Sequence, residues 1–452
     1  MALSRKVVTT PNTKIAVCVL GLYLLNPSLV QALELDASLY SDTEYTTNAR
    51  LASTNTEDDV IERLGVNVTL KEERKRFSAD ASFDLSQEFY LNKTFSDKTQ
   101  LTTGFGLFNF NIVEDFLDWR TSFTRTQVLS DSSAGDTPDN REDRDTFSTG
   151  PNINYRLNKA SIFQFGASYV QVENSDEDAA DTKRIGANAS YIYQYNSITD
   201  LSLNSNYDRI IEIKERGRTR SNGDEHSQNI SLNVGVNRQF SHGSFSAQVG
   251  RNEVRSEDKE TVSGNFFNIQ LQREEIYYHN VVAQYSESIS DSSVGFGSLE
   301  DLIAANPGFS LDNPRLETTT QLDIIKQKRA NVSINRSIGL YQYTLSAFWV
   351  DQNFEIQQSD EQSVGLALNV RQQIQEGLTA GFTYEQVKQK LLDRPKDGDN
   401  FTQTYTIDSS YRWTVDFSTN GFIVYEQRGN NKNASKEYED FSVGVTLKWD
   451  LY

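Results

Sequence analysis

Apolar and polar side chains alternate with a period of two along most of this chain. The clearest case is the C-terminal segment, where every second position is apolar and the positions between are small, polar or charged. A period of two indicates a β-strand with two unlike faces. Strands of a soluble sandwich also alternate, but long adjacent strands with an aromatic-bounded apolar face are typical of a transmembrane β-barrel. The apolar set is Phe441, Val443, Val445, Leu447, Trp449 and Leu451, and the polar set is Ser442, Gly444, Thr446, Lys448 and Asp450.

The same alternation predicts an all-β, antiparallel, up-and-down barrel of about 18–20 strands. Short connections such as Arg273–Glu275 alternate with long ones such as Ser130–Asp145, and in bacterial barrels the short turns face the periplasm. Pro151 falls inside a strand pattern, and we expect a bulge or local distortion there because closed barrels pair every strand on both sides. The predicted strands are Leu35–Tyr40, Leu64–Leu70, Phe77–Leu91, Leu101–Ile112, Leu117–Leu129, Phe147–Leu157, Ile162–Val172, Ile185–Tyr195, Leu201–Ile213, Ile230–Phe240, Phe245–Val254, Val262–Leu271, Ile276–Ile289, Leu322–Ile334, Tyr341–Phe354, Val364–Ile374, Leu378–Val387 and three C-terminal strands.

The N-terminus has the features of a secretory signal. Arg5, Lys6 and Lys14 precede the apolar run Ile15–Leu25, and Val30-Gln31-Ala32 offers a small-residue cleavage site. We therefore predict a cleaved signal peptide over residues 1–32 and a barrel domain over 33–452. The single cysteine lies in the leader, so no disulfide or thiol chemistry is expected in the mature chain.

Composition supports the barrel. The chain is 24% charged, with a mean hydropathy of −0.58. That is too polar for a helical membrane protein but ordinary for a barrel, in which only every second residue meets lipid. The formal net charge of −19 argues against nucleic-acid binding. We expect the outer membrane of a Gram-negative bacterium, with membrane lipid and lipopolysaccharide as partners.

Two groups of side chains are expected at the membrane boundaries. Lys326 and Lys328 share the lipid-facing parity of their strand and could contact lipopolysaccharide phosphates, although plain solvation at the rim is the alternative. An interfacial aromatic girdle is predicted, unless these are ordinary strand aromatics. Its members are Trp119, Trp413 and Trp449 near periplasmic turns and Trp349 toward the outer rim.

No catalytic, cofactor-binding or metal-binding residue is predicted. His226 is expected in an outer loop, His242 in a periplasmic turn and His279 at a rim, so the histidines do not converge with a nucleophile or acid. The acidic run Glu173–Asp181 could be read as a calcium loop, but its spacing matches no such motif. A solvated loop is the simpler interpretation.

The loop Ser290–Thr320 is the longest connection. Ser298 and Asp301 form a capping-box-like start, Leu299–Ala305 can form a two-turn helix, and Asn306 and Pro307 end it. Because loops of this length are usually functional, we expect it to fold over or into the lumen and narrow it. An ordinary surface cap is the alternative.

A resemblance appears in the segment Ser290–Phe354. The stretch SLEDLIAANPGFSLDNPRLE is followed by TTTQLDIIKQKRANVSINRSIGLYQYTLSAFWVDQNFE and by GLALNVRQQIQEGLTAGFTYEQ. This segment resembles the PEP-CTERM system-associated outer-membrane proteins, found beside exopolysaccharide biosynthesis genes. The chain has no Pro-Glu-Pro tag, terminal helix or Arg run, so the resemblance implies an associate of that sorting system and not a cargo. The matched motif residues are Lys328, Arg329, Ala330, Leu345, Ser346 and Phe348.

Pattern and resemblance together give three hypotheses. The main one is a passive, porin-like pore, or part of a secretion conduit, for exopolysaccharide. Exopolysaccharide and periplasmic export proteins would then be its partners. The first alternative is a non-conducting barrel that scaffolds export or binds surface polymer, and the second is a surface enzyme.

Overall fold

A computed structural model describes residues 34–130, 134–175, 181–213, 226–256, 261–276, 279–291, 323–355, 360–393 and 398–451. Within these residues the chain forms one antiparallel sheet of twenty strands, and each predicted segment overlaps one of them. The strands are β1 (Glu34–Thr46), β2 (Asp59–Arg74), β3 (Phe77–Tyr90), β4 (Lys98–Val113), β5 (Leu117–Leu129), β6 (Arg141–Asn158), β7 (Ser161–Asn174), β8 (Asp181–Asn196), β9 (Thr199–Ile213), β10 (His226–Phe240), β11 (Gly243–Ser256), β12 (Val262–Ile276), β13 (His279–Asp291), β14 (Ile324–Ile338), β15 (Tyr341–Phe354), β16 (Glu361–Gln375), β17 (Leu378–Leu391), β18 (Asp399–Arg412), β19 (Phe417–Asn430) and β20 (Tyr438–Leu451).

The sheet closes on itself because β1 pairs with both β2 and β20. The closing ladder runs from Ala37, opposite Leu451, to Thr46, opposite Ser442. Each of the strands β2–β19 pairs with its two neighbours in sequence. The predicted up-and-down barrel is therefore confirmed, and closure leaves no free sheet edge.

The two faces of the wall differ as the alternation predicted. Side chains directly opposite each other in a ladder lie on the same face. Leu39 and its partner Trp449 are 46% and 58% exposed, whereas Ser38 is buried on the other face. Exposed apolar side chains on the outer surface of a closed barrel are those that contact lipid. The two small clusters of buried apolar residues, described below, lie near the outer rim.

The strands extend farther toward the long-loop rim than the sequence predicted. The connection between β5 and β6 is shorter than the predicted loop Ser130–Asp145, because β6 already begins at Arg141. Likewise β10 begins at His226 and not at Ile230. Above the membrane both faces of a strand are polar, so the period-two signal ends while the backbone ladder continues.

Two local expectations have different outcomes. The predicted turn Arg273–Glu275 is wrong, because β12 continues to Ile276 through a register shift that starts after Arg273. The distortion predicted at Pro151 is confirmed. The ladder between β6 and β7 omits Gly150 and Pro151 and resumes at Asn152 in unchanged register, so the wall is interrupted without a bulge.

Among the residues that the structure describes, no helix is long and apolar enough to cross a membrane. The predicted leader, and the loop residues Ser298, Leu299–Ala305, Asn306 and Pro307, lie outside the described residues.

Candidate functional site: the lumen and its outer mouth

The lumen is the one continuous polar surface that the fold encloses. Barrels of 16 to 18 strands leave an aqueous channel and 22-stranded barrels a plugged lumen, so a twenty-stranded wall is too wide for its own side chains to fill. Its inward face divides into two chemically different sectors. We call the inward face of β18–β20 and β1–β3 the acidic wall, and that of β10–β15 the amide wall.

The acidic wall centres on one guanidinium shared by three carboxylates. Arg63 Nη1 lies 2.6 Å from Asp42 Oδ2 and 2.8 Å from Glu44 Oε2, and its Nε lies 3.1 Å from Glu88 Oε1. Three adjacent strands supply these groups, since Arg63 stands opposite both Asp42 and Glu88 in the ladders. The surplus of negative charge persists around Arg63, because carboxylates outnumber cations across this wall.

Hydroxyl donors fix these carboxylates in place. Tyr90 Oη donates to Glu88 Oε2 at 3.1 Å, and Thr446 Oγ1 donates to Asp42 Oδ1 at 2.8 Å. Tyr40 Oη donates to Asp84 Oδ1 at 2.7 Å. A partly dehydrated carboxylate is retained only when paired or hydrogen-bonded, and these contacts meet that requirement.

The amide wall is almost free of charge. In the described residues its inward positions are Asn, Gln, Ser, Thr, Gly and a few apolar residues, with Arg329 and, at the lower rim, Glu274 as the charged members. Buried oxygens of four inward side chains have no hydrogen-bond partner within the described structure. An unmade hydrogen bond at a buried group costs roughly 1–3 kcal/mol, so an ordered water is the expected partner. The four oxygens are Ser227 Oγ, Asn229 Oδ1, Asn252 Oδ1 and Ser333 Oγ.

Three outer connections fold inward over the acidic wall. We call residues 47–58, 91–97 and 134–140 the roof. Arg50 lies over the Phe95 ring, 5.0 Å from its centroid, and donates to the Thr94 carbonyl. A Cβ on Gly135 would meet Leu51 at 3.0 Å. The first and third connections are therefore in contact across the mouth.

The roof is anchored to the wall on both sides. Phe95 and Ala49 pack on the inward side chains Ile61 and Tyr90. On the far side, Arg428 Nη1 of β19 donates to the Ala134 carbonyl at 2.7 Å. The roof thus spans the mouth from β19 to β6 and leaves the amide wall on the opposite side.

The described ends of the longest loop also lie on the lumen side. The β12–β13 ladder stops at Phe267 opposite Glu287, and above it Ile289 packs on the inward Val254 of β11. Gly264 allows this crossing, because a Cβ there would come within 2.7 Å of Ile289 Cδ1. The sequence did not predict this displacement of β13.

The histidines take the predicted levels and remain apart. His226 begins β10 at the outer rim, and His242 lies in the turn before β11. His279 begins β13 at the same rim as His242, where its Nε2 lies 2.5 Å from Tyr343 Oη. No group of three or more potential metal ligands occurs among the described residues.

The roles predicted for the membrane-boundary residues stay predictions. Lys326 and Lys328 face outward, but Lys326 pairs with Glu355, and Lys328 stands between Glu287 and Asp351. The contacts of the four tryptophans are as follows. Trp119 Nε1 donates to Thr149 Oγ1 at 2.8 Å, Trp413 packs edge-on to Tyr411, Trp449 packs edge-on to Phe417, and Trp349 lies opposite Ala330 on the outer face.

The chain is similar in fold to several solved structures. The siderophore receptor PirA from Acinetobacter baumannii superposes with a TM-score of 0.52 at 9% identity, covering 92% of this chain and 80% of that chain. The FrpB iron transporter from Neisseria meningitidis (F5-1 variant) gives 0.48 at 11% identity, covering 93% and 83%. OmpTdeltaL8, a loop-deletion mutant of OmpT, an outer membrane protein of Vibrio cholerae, gives 0.36 at 11%, covering 93% and 100%.

The chain is an outer-membrane β-barrel. At these identities the similarity concerns the fold, which includes the closed wall and its lipid-facing surface. The similar proteins named above are a siderophore receptor, an iron transporter and an outer membrane protein. No protein-family profile and no curated protein matches the chain.

Proposed function

We propose that the protein is an outer-membrane conduit for a polar, largely uncharged solute, and that it is not an enzyme. The amide wall supports this more than any other feature. It presents hydroxyl and amide groups over six neighbouring strands, with few charged side chains among the described residues. Such a surface exchanges hydrogen bonds with a passing solute without binding an ion.

Exopolysaccharide is our candidate cargo. The assignment comes from the sequence resemblance, and the hydroxyl-rich chemistry of a sugar polymer suits the amide wall. Weak, multiple hydrogen bonds are also what transport requires, since a conduit must release what it binds.

Planar-bilayer recording of the purified full-length protein tests the conduit. We expect single-channel steps that neutral dextran oligomers block in a size-dependent manner. A barrel that inserts but never conducts would instead favour the scaffold alternative, to which the roof gives some support because it covers part of the mouth.

Deletion of the gene tests the cargo separately. Polysaccharide should accumulate in the periplasm and fall in the medium. Normal secretion together with normal conductance would remove exopolysaccharide as cargo and leave the conduit.

A further inference from the structure

The outer surface of the barrel shows an uneven distribution of charge just above its apolar band. On each strand we take the first outward charged or amide side chain above the exposed apolar band, and call this ring the collar. Its members on six strands are Lys183 (β8), Arg209 (β9), Gln228 (β10), Arg251 (β11), Asn265 (β12) and Glu287 (β13). Below them lie exposed apolar side chains, among them Ile185, Tyr207, Leu232 and Val249.

Three cations fall in this short arc of the collar. Lys183 stands opposite Ile211, two residues along β9 from Arg209. Diagonal neighbours of this kind are about 7–8 Å apart. Arg251 lies two strands beyond Arg209 and four residues nearer the short turns, because Arg209 stands opposite Gln228 whereas Arg251 stands opposite Leu232. At about 3.3 Å per residue and about 4.8 Å per strand, their Cα atoms are about 16 Å apart. Two extended arginine side chains can bridge that span to a headgroup that carries two phosphates.

The nearby carboxylates are already engaged. Glu253 Oε1 accepts from Arg255 Nε at 2.5 Å, and Asp181 Oδ1 accepts from the Asn174 backbone N–H at 2.7 Å. Arg251 Nη2 makes a neutral contact with Ser263 Oγ at 3.2 Å. Within the described structure no ion pair joins Lys183, Arg209 or Arg251 to a carboxylate. Together with Arg255 they make four outward cations near the outer rim of β8–β11, against the two carboxylates Asp181 and Glu253, so the net charge of this arc is positive.

Several other outward cations of the rim form ion pairs. Arg125 pairs with Asp145, and Lys326 with Glu355. Lys388 Nζ lies 3.9 Å from Asp399 Oδ2. The arc from β8 to β11 thus differs in holding three cations without an ion pair close together, at the level where lipid headgroups meet the wall.

We propose that Lys183, Arg209 and Arg251 bind the phosphates of a phosphorylated glycolipid of the outer leaflet. Its acyl chains would lie on the apolar surface below, along Ile185 and Val249. Arg presents a planar fork that matches phosphate oxygens, and Lys adds a point charge. Basic clusters at a membrane surface hold anionic headgroups in this manner. The site is independent of the proposed transport function.

Native mass spectrometry of the full-length protein in detergent tests the site, with bisphosphorylated lipid A as the probe. The variant K183Q/R209Q/R251Q should raise the apparent Kd by about tenfold or more. The matched control K388Q/K390Q also removes two outward cations of the rim and should stay within about twofold of the wild type, since both of those cations stand beside Asp399.

Two further measurements make the result decisive. Dephosphorylated lipid A should bind the wild type as weakly as bisphosphorylated lipid A binds the triple variant, and inorganic phosphate should not compete at millimolar concentration. If the triple variant does not fold, as judged by heat-modifiable gel migration, R209Q alone should still weaken binding about threefold. Unchanged affinity in the folded variant, an equal loss in the control, equal binding of the dephosphorylated lipid or competition by free phosphate would each overturn the proposal.

Discussion

Arg63 is the residue on which the acidic wall depends. It is shared by Asp42, Glu44 and Glu88, and its side chain is 28% exposed. Replacing it by Met should leave three carboxylates close together without a counter-charge. Breaking a fully buried pair costs about 3–5 kcal/mol. Because Arg63 is partly solvated, we expect about 2 kcal/mol of lost unfolding free energy, measured by guanidinium unfolding in detergent.

Lys75→Met is the matched control for Arg63→Met. Lys75 pairs with Glu114 at 3.0 Å, but the two side chains are 74% and 51% exposed, and exposed pairs contribute roughly 0–1 kcal/mol. Equal effects of the two substitutions would mean that the lumen solvates the Arg63 cluster as fully as bulk water does.

A second residue-scale prediction concerns pH and Asp360, in the connection between β15 and β16. Burial raises the pKa of this carboxyl, and the neighbouring Asp393, Glu355 and Asp351 act in the same direction. A raised pKa means that the folded state binds the proton more tightly. The protonated carboxyl of Asp360 therefore adds to the free energy of unfolding at a pH below its unfolded-state pKa of about 3.9. This contribution is lost as the pH rises through the folded-state pKa.

Asp360→Asn should consequently stabilise the protein at pH 7 and do little at pH 3. The amide oxygen can still accept the Phe354 N–H, which donates to Asp360 Oδ1 at 2.6 Å. Asp97→Asn should act oppositely, because hydrogen bonding to Lys93 lowers the pKa of Asp97. The guanidinium concentrations at half-unfolding, measured at both pH values, test the two variants. A change in stability of the same sign in both variants at pH 7 would contradict the assigned directions of the pKa shifts.

At the scale of the strand, the interrupted ladder between β6 and β7 makes Gly150 irreplaceable. A Cβ at Gly150 would lie 1.9 Å from the Ala167 carbonyl oxygen, and backbone cannot move aside as a flexible side chain can. Overpacking costs about 1–3 kcal/mol or more. Gly150→Ala should therefore lower the fraction of heat-modifiable, folded barrel. Gly421→Ala is the control, since its nearest neighbour is the Gly444 oxygen at 4.0 Å, and it should fold normally.

Strands could be predicted from the sequence where one face meets lipid and the other water, as in β20. Prediction failed where that difference disappears. At Arg273 the register shifts, so β12 continues past the predicted turn. To predict the cluster of Arg63 with Glu88, one must know the register of two ladders, which no single strand encodes. To predict the roof, one must know contacts across the mouth, such as that of Arg428 with Ala134. The alternation of polar and apolar positions does not indicate that contact.

At the scale of the whole molecule, the two walls of the lumen should act differently on a solute that passes through. The amide wall offers hydrogen bonds without charge, and the acidic wall gives the lumen a negative potential. Focusing of field lines by a low-dielectric wall raises the local concentration of the opposite ion. An open lumen should therefore conduct cations in preference to anions even though its proposed cargo is neutral.

Reversal potentials across a tenfold KCl gradient measure this preference. We expect a cation-selective sign that weakens in concentrated salt, because the Debye length falls from about 10 Å at 0.1 M to about 3 Å at 1 M. Asp36→Asn with Asp80→Asn removes two inward carboxylates of the acidic wall and should shift the reversal potential toward zero. Glu439→Gln removes an outward, exposed carboxylate and should leave it unchanged. An anion-selective or unselective channel would mean that ions do not pass along the acidic wall, and that the roof closes this side of the mouth.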